Sequence, residues 1–206
     1  MSVHDELARL GTATVYEAAG RKGLVDLDLH RIVPGSRAAG PARPILCGQA
    51  DNLMVHAAMA HANPGDVLVL TMPVPRPVAL VGDLLATQAK IRGAVAVLVD
   101  AAVRDKEEIV GMRLPVWTRW IRSRGATKEI VGALDVAVTV GGAEIRPGDF
   151  VVLDADGATV VAAERAPEVL EAARAREEKE AHKREKLHEG ALSYYLDGLN
   201  AVVERG

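Results

Sequence analysis

Apolar positions fall into short dense runs separated by turn formers, with helical spacing between the runs. Val67-Leu68-Val69-Leu70 reads as a buried strand. It follows Asn63-Pro64-Gly65-Asp66, whose residues favour a turn. The same design recurs where Arg146-Pro147-Gly148-Asp149 leads into Phe150-Val151-Val152-Leu153. Two such units predict two similar sheet halves facing each other. Between them, strands alternate with helices. Asp83 to Arg92 predicts a helix closed by Gly93. Ala94 to Val99 is a β-rich run ending at Asp100, and Asp105 begins another helix. Pro115 to Thr118 and Val136 to Val140 read as strands, and Ala158 to Ala162 closes the sheet region. Ser2 with Asp5, and Thr14 with Glu17, have the spacing of helix starts. The second of these helices should run from Thr14 to Lys22 and stop at Gly23. A further helix is expected over Asp51 to His61.

The pattern changes at Pro167, a residue suited to a first helical turn. Glu168 to Glu189 is almost wholly Ala, Glu, Lys and Arg, with opposite charges four apart at Arg176/Glu180 and Glu180/Arg184. Gly190 breaks this run. Leu192, Tyr195, Leu196, Leu199 and Val203 then mark one face of a last helix. The tail has too little apolar surface to fold alone, so it should lie across the body or across a neighbouring subunit. We therefore divide the chain into a body, residues 1–163, and a helical extension, residues 164–206, that contributes to a subunit interface.

Composition narrows the class. Of 206 residues, 49% are apolar, which supports a packed core. Aromatics are only 3%, so aliphatic side chains must build that core. The formal net charge of −3 and the lack of a basic stripe argue against a nucleic-acid partner. No apolar run approaches a membrane span. One cysteine, Cys47, permits no internal disulfide; with no signal-peptide pattern, a reducing cytoplasm is expected.

Several chemistries find no support. There is no Gly-rich loop with a lysine after a strand and no dinucleotide fingerprint. The six histidines lack zinc-ligand spacing, and no serine sits in a nucleophile-elbow context. None of the seven lysines interrupts an apolar strand, which argues against a desolvated Schiff-base lysine.

What remains is carboxylate and arginine chemistry. Asp83 stands at a helix start, Arg104-Asp105 lies just past a strand, and Glu108 follows three residues later. Strand ends and helix starts are where sites form in open α/β units. Two carboxylates and an arginine would suit a hard cation and an anionic substrate. The same residues also have a plain structural reading. Asp83 could cap its helix, Asp105 with Glu108 fits a capping box, and Arg104 could form an ordinary surface ion pair.

Gly82-Asp83-Leu84-Leu85-Ala86, followed by Val99-Asp100-Ala101-Ala102-Val103-Arg104-Asp105, resembles the 4-hydroxy-4-methyl-2-oxoglutarate / 4-carboxy-4-hydroxy-2-oxoadipate aldolases. These belong with the regulator of ribonuclease activity A proteins. Their pattern is an aspartate, twenty residues, Arg-Asp, two residues and an acid; Asp83, Arg104, Asp105 and Glu108 satisfy it. Gly11 to Ala18, Pro115-Val116-Trp117, Arg146 to Asp149, Asp154 to Gly157 and the tail from Ala175 to Ala181 extend the likeness over nearly the whole chain. Ala101 and Ala102 depart from the family's glycines, as does Met72 to Pro77 from its glycine-rich stretch. These departures bear on substrate identity more than on reaction type.

The resemblance implies an α/β fold, a three-layer β/β/α sandwich of the swivelling-domain type with a C-terminal helical extension. It also implies Mg²⁺ or Mn²⁺ bound directly by Asp105, with Asp83 and a glutamate of an adjacent subunit, best matched by Glu180, acting through water. Glu108 is read as the capping partner that orients the Arg104–Asp105 turn. The small 2-oxo acid substrate would use the amides of Leu84 and Leu85 for its carboxylate and Arg104 for its developing enolate. Thr127 and Lys128 would meet a distal carboxylate, while His56 is expected to be structural. The implied activity releases pyruvate from 4-carboxy-4-hydroxy-2-oxoadipate or 4-hydroxy-4-methyl-2-oxoglutarate, within a homotrimer or homohexamer, with oxaloacetate decarboxylation beside it. Two rival readings stand: a non-enzymatic protein-binding regulator of ribonuclease activity, and a decarboxylase of another 2-oxo acid.

Overall fold

The structure is a computed structural model and describes residues 2–205. Helices α1 (Val3–Leu10) and α2 (Thr12–Ala18) precede β1 (Leu24–Val25), β2 (His30–Arg31) and β3 (Ala38–Leu46). Then come α3 (Leu53–Ala58), β4 (Val67–Thr71), β5 (Ala79–Val81), α4 (Asp83–Ile91), β6 (Ala96–Val103), α5 (Lys106–Met112) and β7 (Val116–Ile121). Strands β8 (Ala133–Leu134), β9 (Val138–Val140), β10 (Ala143–Ile145), β11 (Phe150–Asp154) and β12 (Gly157–Val161) follow. The chain ends in α6 (Ala166–His188), α7 (Ser193–Leu196) and α8 (Leu199–Val203).

Strand β3 organises the sheets. Ala38 to Pro41 pair antiparallel with β11, and Ala42 to Leu46 pair parallel with β4. The strand path β1-β12-β11-β3-β4-β6-β7-β2 therefore passes from an antiparallel sheet to a mainly parallel one within a single strand. No strand is assigned here from the sequence, and Gly40, Pro41 and Pro44 are residues that weaken a central strand. They are accommodated where the strand changes partners. Gly40 is also sterically required: a Cβ there would lie 2.3 Å from the carbonyl oxygen of Gly65.

Alternation along the strands fills two layers at once. Val67, Val69, Leu98 and Trp117 meet Val151, Leu153 and Val160 between the sheets. Leu68, Leu70, Val97 and Val99 point the other way, against Val55, Leu85 and Ile109 of α3 to α5. Burial on both faces is why β4 and β6 read as continuous apolar runs. The expected β/β/α order is thus present. On the outer face of the antiparallel sheet, Val152 and Val161 pack against Leu7, Val15, Val169 and Leu170 of α1, α2 and α6.

The two recurrent turns are built alike. Asp66 accepts the Asn63 N–H at 2.8 Å, and Asp149 accepts the Arg146 N–H at 2.8 Å. Gly65 and Gly148 take φ of +93° and +85°. Their strands, β4 and β11, lie in opposite sheets on either side of β3.

Some boundaries move. Helix α2 begins at Thr12 rather than Thr14, because buried Asp154 accepts both the amide and the hydroxyl of Thr12. Strand β6 runs on through Asp100 to Val103, past an irregularity between Val99 and Ala102. Asp100 is tolerated inside the strand because Arg119 pairs with it at 3.1 Å. The last predicted helix is two short ones, parted at Gly198 with φ of +67°.

Helix α6 buries Ala166, Val169, Leu170 and Ala173, and none of its residues beyond Ala173 is buried. Arg9–Glu177 and Arg174–Glu6 ion pairs fasten its first half to α1. Its second half does not lie across the body of its own chain: Leu192, Tyr195 and Val203 remain exposed. Among the described residues, no helix is long and apolar enough to cross a membrane.

Trp117 tests the two-sheet core. It is buried, and its indole N–H donates to the Asp154 carbonyl at 2.8 Å. Trp117→Ala should cost about 3–5 kcal/mol by cavity formation and the lost partner. Urea denaturation should show a lower midpoint, and an unchanged midpoint would contradict the packing described.

Candidate active site

Strands β5 and β6 run parallel, with Val81 opposite Val103 and the Arg104 N–H donating to the Val81 carbonyl at 3.0 Å. This register sets Gly82-Asp83 beside Arg104-Asp105 at the carboxyl ends of adjacent strands. Asp105 Oδ2 accepts the backbone N–H of Asp83 at 3.1 Å and lies 3.4 Å from Arg104 Nε. Gly82 leaves room for this approach: a Cβ there would stand 2.4 Å from Asp105 Oδ2 and 3.0 Å from Arg104 Nε, so the two side chains would have to shift.

The plain structural reading of these residues is not what forms. Asp105 holds the N-cap position of α5 but makes no side-chain cap bond, so no capping box joins it to Glu108. Its backbone is left-handed, with φ of +58°, an uncommon state for a non-glycine residue and one concentrated at functional sites. That twist turns the carboxylate back toward α4 instead of onto its own helix. Glu108 is exposed and does not orient the Arg104–Asp105 turn by capping. Asp83 is the first residue of α4, not its cap; Gly82 is the cap and offers no side chain.

A cavity of about 120 Å³ opens at this point. Asp83, Arg104, Asn52, His56 and Lys128 line it, together with Gly82, Leu84, Leu85 and the Gly125–Ala126 segment. The amides of Leu84 and Leu85 lie in the first turn of α4, where no intrahelical acceptor exists. Leu85 is buried, whereas the Leu84 side chain stands out toward solvent, 73% exposed. The cavity rim thus gathers a helix N-terminus, a guanidinium and an ammonium, groups that favour an anion, beside the Asp83 carboxylate.

Lys128 is placed by a buried carboxylate. Asp51 is fully buried, and its Oδ2 accepts the Thr127 hydroxyl at 2.7 Å and the amides of Glu129 and Ile130 at 2.6 and 3.2 Å. Its Oδ1 accepts the Leu53 amide at 2.8 Å. Burial raises the Asp51 carboxyl pKa, but these hydrogen bonds outweigh it and hold the group at about 2. Thr127 is thus committed to Asp51 and does not line the cavity. Glu180 lies on α6, paired with Arg176 at 2.8 Å, and is not brought to Asp105 in its own chain. Among the described residues, no group of three or more His, Cys, Asp or Glu side chains gathers for a metal.

Sequence reasoning overlooked Asn52 and gave His56 a structural role, yet both face the cavity. Their spacing of four on α3 and its cap was the available signal. Burial lowers the His56 pKa first, and the nearby Lys128 charge adds to it.

Parallel strand ends and helix starts converging on one small cavity define the class: an α/β protein with its candidate site at the carboxyl edge of the sheet. The protein-family model described as Aldolase/RraA matches residues 12–160, and the chain belongs to that family. A protein of Halalkalibacterium halodurans named "Putative 4-hydroxy-4-methyl-2-oxoglutarate aldolase" is 35% identical over 81% of this chain and 77% of its own. An uncharacterised Pseudomonas syringae protein of known structure is 26% identical, with a TM-score of 0.80 over 92% of this chain and 94% of its own. Streptomyces coelicolor RraAS2, described as an unusual member of the RNase ES inhibitor RraA protein family, is 28% identical. Its TM-score is 0.79 over 88% of this chain and 95% of its own.

Asp51 yields a pH-dependent prediction. A carboxyl whose folded pKa is depressed contributes stability above its unfolded pKa and loses it as pH falls through the folded one. Wild-type stability should therefore fall between pH 3.8 and about 2. Asp51→Asn should be less stable at neutral pH, with a shallower slope in that window by denaturant titration. Parallel slopes would remove the linkage.

Proposed function

We propose that this protein is a divalent-cation-dependent lyase that releases pyruvate from 4-hydroxy-2-oxo acids. The substrates are 4-carboxy-4-hydroxy-2-oxoadipate or 4-hydroxy-4-methyl-2-oxoglutarate, and oxaloacetate is decarboxylated at the same site. The observation that carries this reading is the carboxylate oxygen of Asp105, which receives the Asp83 amide and lies 3.4 Å from Arg104 Nε, behind the two residues, Asp83 and Arg104, that line one small cavity. The name borne by the Halalkalibacterium relative supports the same chemistry.

The carboxylate oxygens of Asp83 and Asp105 are donors of the kind a hard cation prefers. Asp105 would hold Mg²⁺ or Mn²⁺, with Asp83 and Glu180 of the partner subunit completing its surroundings through water. Such an ion supplies a Lewis acid beside the keto group. The Leu84 and Leu85 amides hold the substrate carboxylate at the helix N-terminus. Lys128 faces the distal carboxylate of a di- or tri-acid. Cleavage breaks the C3–C4 bond, leaves its electron pair on the pyruvate fragment and turns the alcohol carbon into a carbonyl. Arg104 stabilises the enolate charge as it develops, where binding energy is catalytic. Asp83 relays the proton from the alcohol and returns one to the enolate carbon. Oxaloacetate decarboxylation passes through the same enolate and needs the same groups.

Pyruvate release from these acids, and from oxaloacetate, should stop on exhaustive chelation and return with Mg²⁺ or Mn²⁺. Arg104→Lys should retain the ion but lose about 10²–10³ in kcat, because an ammonium cannot reproduce the guanidinium fork. Pyruvate release that survives chelation would sink the metal-dependent reading, and near-normal turnover by Arg104→Lys would sink the enolate assignment. No pyruvate from any of these acids, from protein loaded with metal, would favour the ribonuclease-regulator reading that the Streptomyces relative's description brings.

Glu180 projects from a helix whose second half leaves the body, so its route to a cation is through another copy. In a homotrimer or homohexamer, each site would join Asp105 of one chain to Glu180 of the partner subunit. Asp105→Ala and Glu180→Ala should each be nearly inactive. Unfolded and reassembled together in equal amounts, about a quarter of the sites should recover both residues by random mixing around a closed ring. Mixed oligomers, verified by mass, that recover no activity would remove Glu180 from the shared site.

A further inference from the structure

Asn52 carries an unanswered hydrogen-bond acceptor in the wall of the same cavity. The residue is 8% exposed, and its Oδ1 is buried without a partner. Its Nδ2 donates to the Leu80 carbonyl at 3.0 Å. That bond fixes which end of the amide is which, since a carbonyl can face only the NH₂ group. The backbone is held too: the Asn52 N–H donates to the Thr127 carbonyl at 2.9 Å. The side chain therefore cannot turn away to satisfy its oxygen without breaking another bond.

Buried acceptors are almost always paired, and the exceptions mark strain, bound solvent or a ligand. Arg104, Lys128 and the first-turn amides of α4 supply donors suited to anions on the same wall, beside the Asp83 carboxylate and the His56 ring. A carboxylate or keto oxygen of a ligand can satisfy those donors, but neither can satisfy Asn52 Oδ1. Of a ligand's groups, an O–H or N–H can.

We propose that Asn52 is a specificity-determining residue whose Oδ1 accepts a hydrogen bond from the ligand's hydroxyl group. This rests on the reading of the cavity as a 4-hydroxy-2-oxo acid site, where the 4-hydroxyl is the one such donor on the carbon chain. A buried polar group that meets a substrate hydroxyl rejects the analogue lacking it, because the protein group is then left unpaired. The contact would favour aldol substrates over oxo acids of equal length without the hydroxyl.

Two non-cleavable ligands test this at equilibrium. 4-Hydroxypentanoate and pentanoate differ only in the 4-hydroxyl, each has a single carboxylate and so cannot bind reversed, and neither has the 2-oxo group needed to form an enolate. Calorimetric titration of the full chain in excess Mg²⁺ should give about tenfold tighter binding of the hydroxy acid, the usual worth of one hydrogen bond. Asn52→Leu should bring the ratio within about twofold. Equal wild-type affinities would overturn the proposal by themselves, even if the variant failed to fold. A tenfold ratio that persists in Asn52→Leu would overturn it as well. A wild-type preference lost in Asn52→Leu, with no pyruvate release from any 4-hydroxy-2-oxo acid, would keep the hydroxyl contact and remove the lyase reading. Pyruvate release with equal affinities would do the reverse.

Discussion

One strand serves two sheets, and the rest of the architecture follows from that constraint. The first half of β3 is committed to β11 and the second to β4. The sheets must then face each other across Val67, Leu98, Trp117, Val151 and Leu153. With one face of β4 and β6 closed by the second sheet and the other by α3 to α5, both strands are buried on both sides. Gly40 makes the crossing possible, because the backbone of Gly65 occupies the space a side chain would need. The parallel order β4-β6-β7 places several strand ends and helix starts on one edge, where an α/β fold gathers a site.

At that edge, chemistry is arranged by backbone geometry more than by side-chain packing. The left-handed twist at Asp105 withdraws its carboxylate from α5 and delivers it to the first amide of α4. Gly82 leaves room for that approach. The Asp105 carboxylate is thereby oriented by a backbone donor and by Arg104. On the opposite wall, Asp51 gathers the 127–130 segment by its hydroxyl and amides, so that Lys128 is presented by a rigid support. A loop that would otherwise carry an unconstrained lysine thus becomes part of the cavity.

The extension has a different logic. Its first turns are core, closing the outer face of the antiparallel sheet with Val169, Leu170 and Ala173. Beyond Ala173 it is a charged rod held by local pairs such as Arg176–Glu180 and Lys183–Asp197. A helix of that composition gains little by packing its second half on its own chain.

Much of this was legible from local pattern. Buried parallel strands announce themselves as apolar runs, and paired Pro-Gly-Asp turns as repeated punctuation. The motif of Asp83, Arg104, Asp105 and Glu108 stands in the sequence at fixed spacing, and the family resemblance attaches to it. Tertiary structure alone decided three things. Strand β3, whose prolines and glycine speak against a strand, forms because two partners each take the half that suits it. Asp100 does not end its strand, because Arg119, nineteen positions away, supplies the charge that lets it stay buried. Asp105 and Glu108, which read equally well as a cap, do not make one, because the backbone at Asp105 aims its carboxylate at a neighbouring helix. Asn52 and His56 likewise face Arg104 only through the pairing of strands distant in sequence. Periodicity reports the environment a residue needs; which distant group supplies it depends on the register of the sheets.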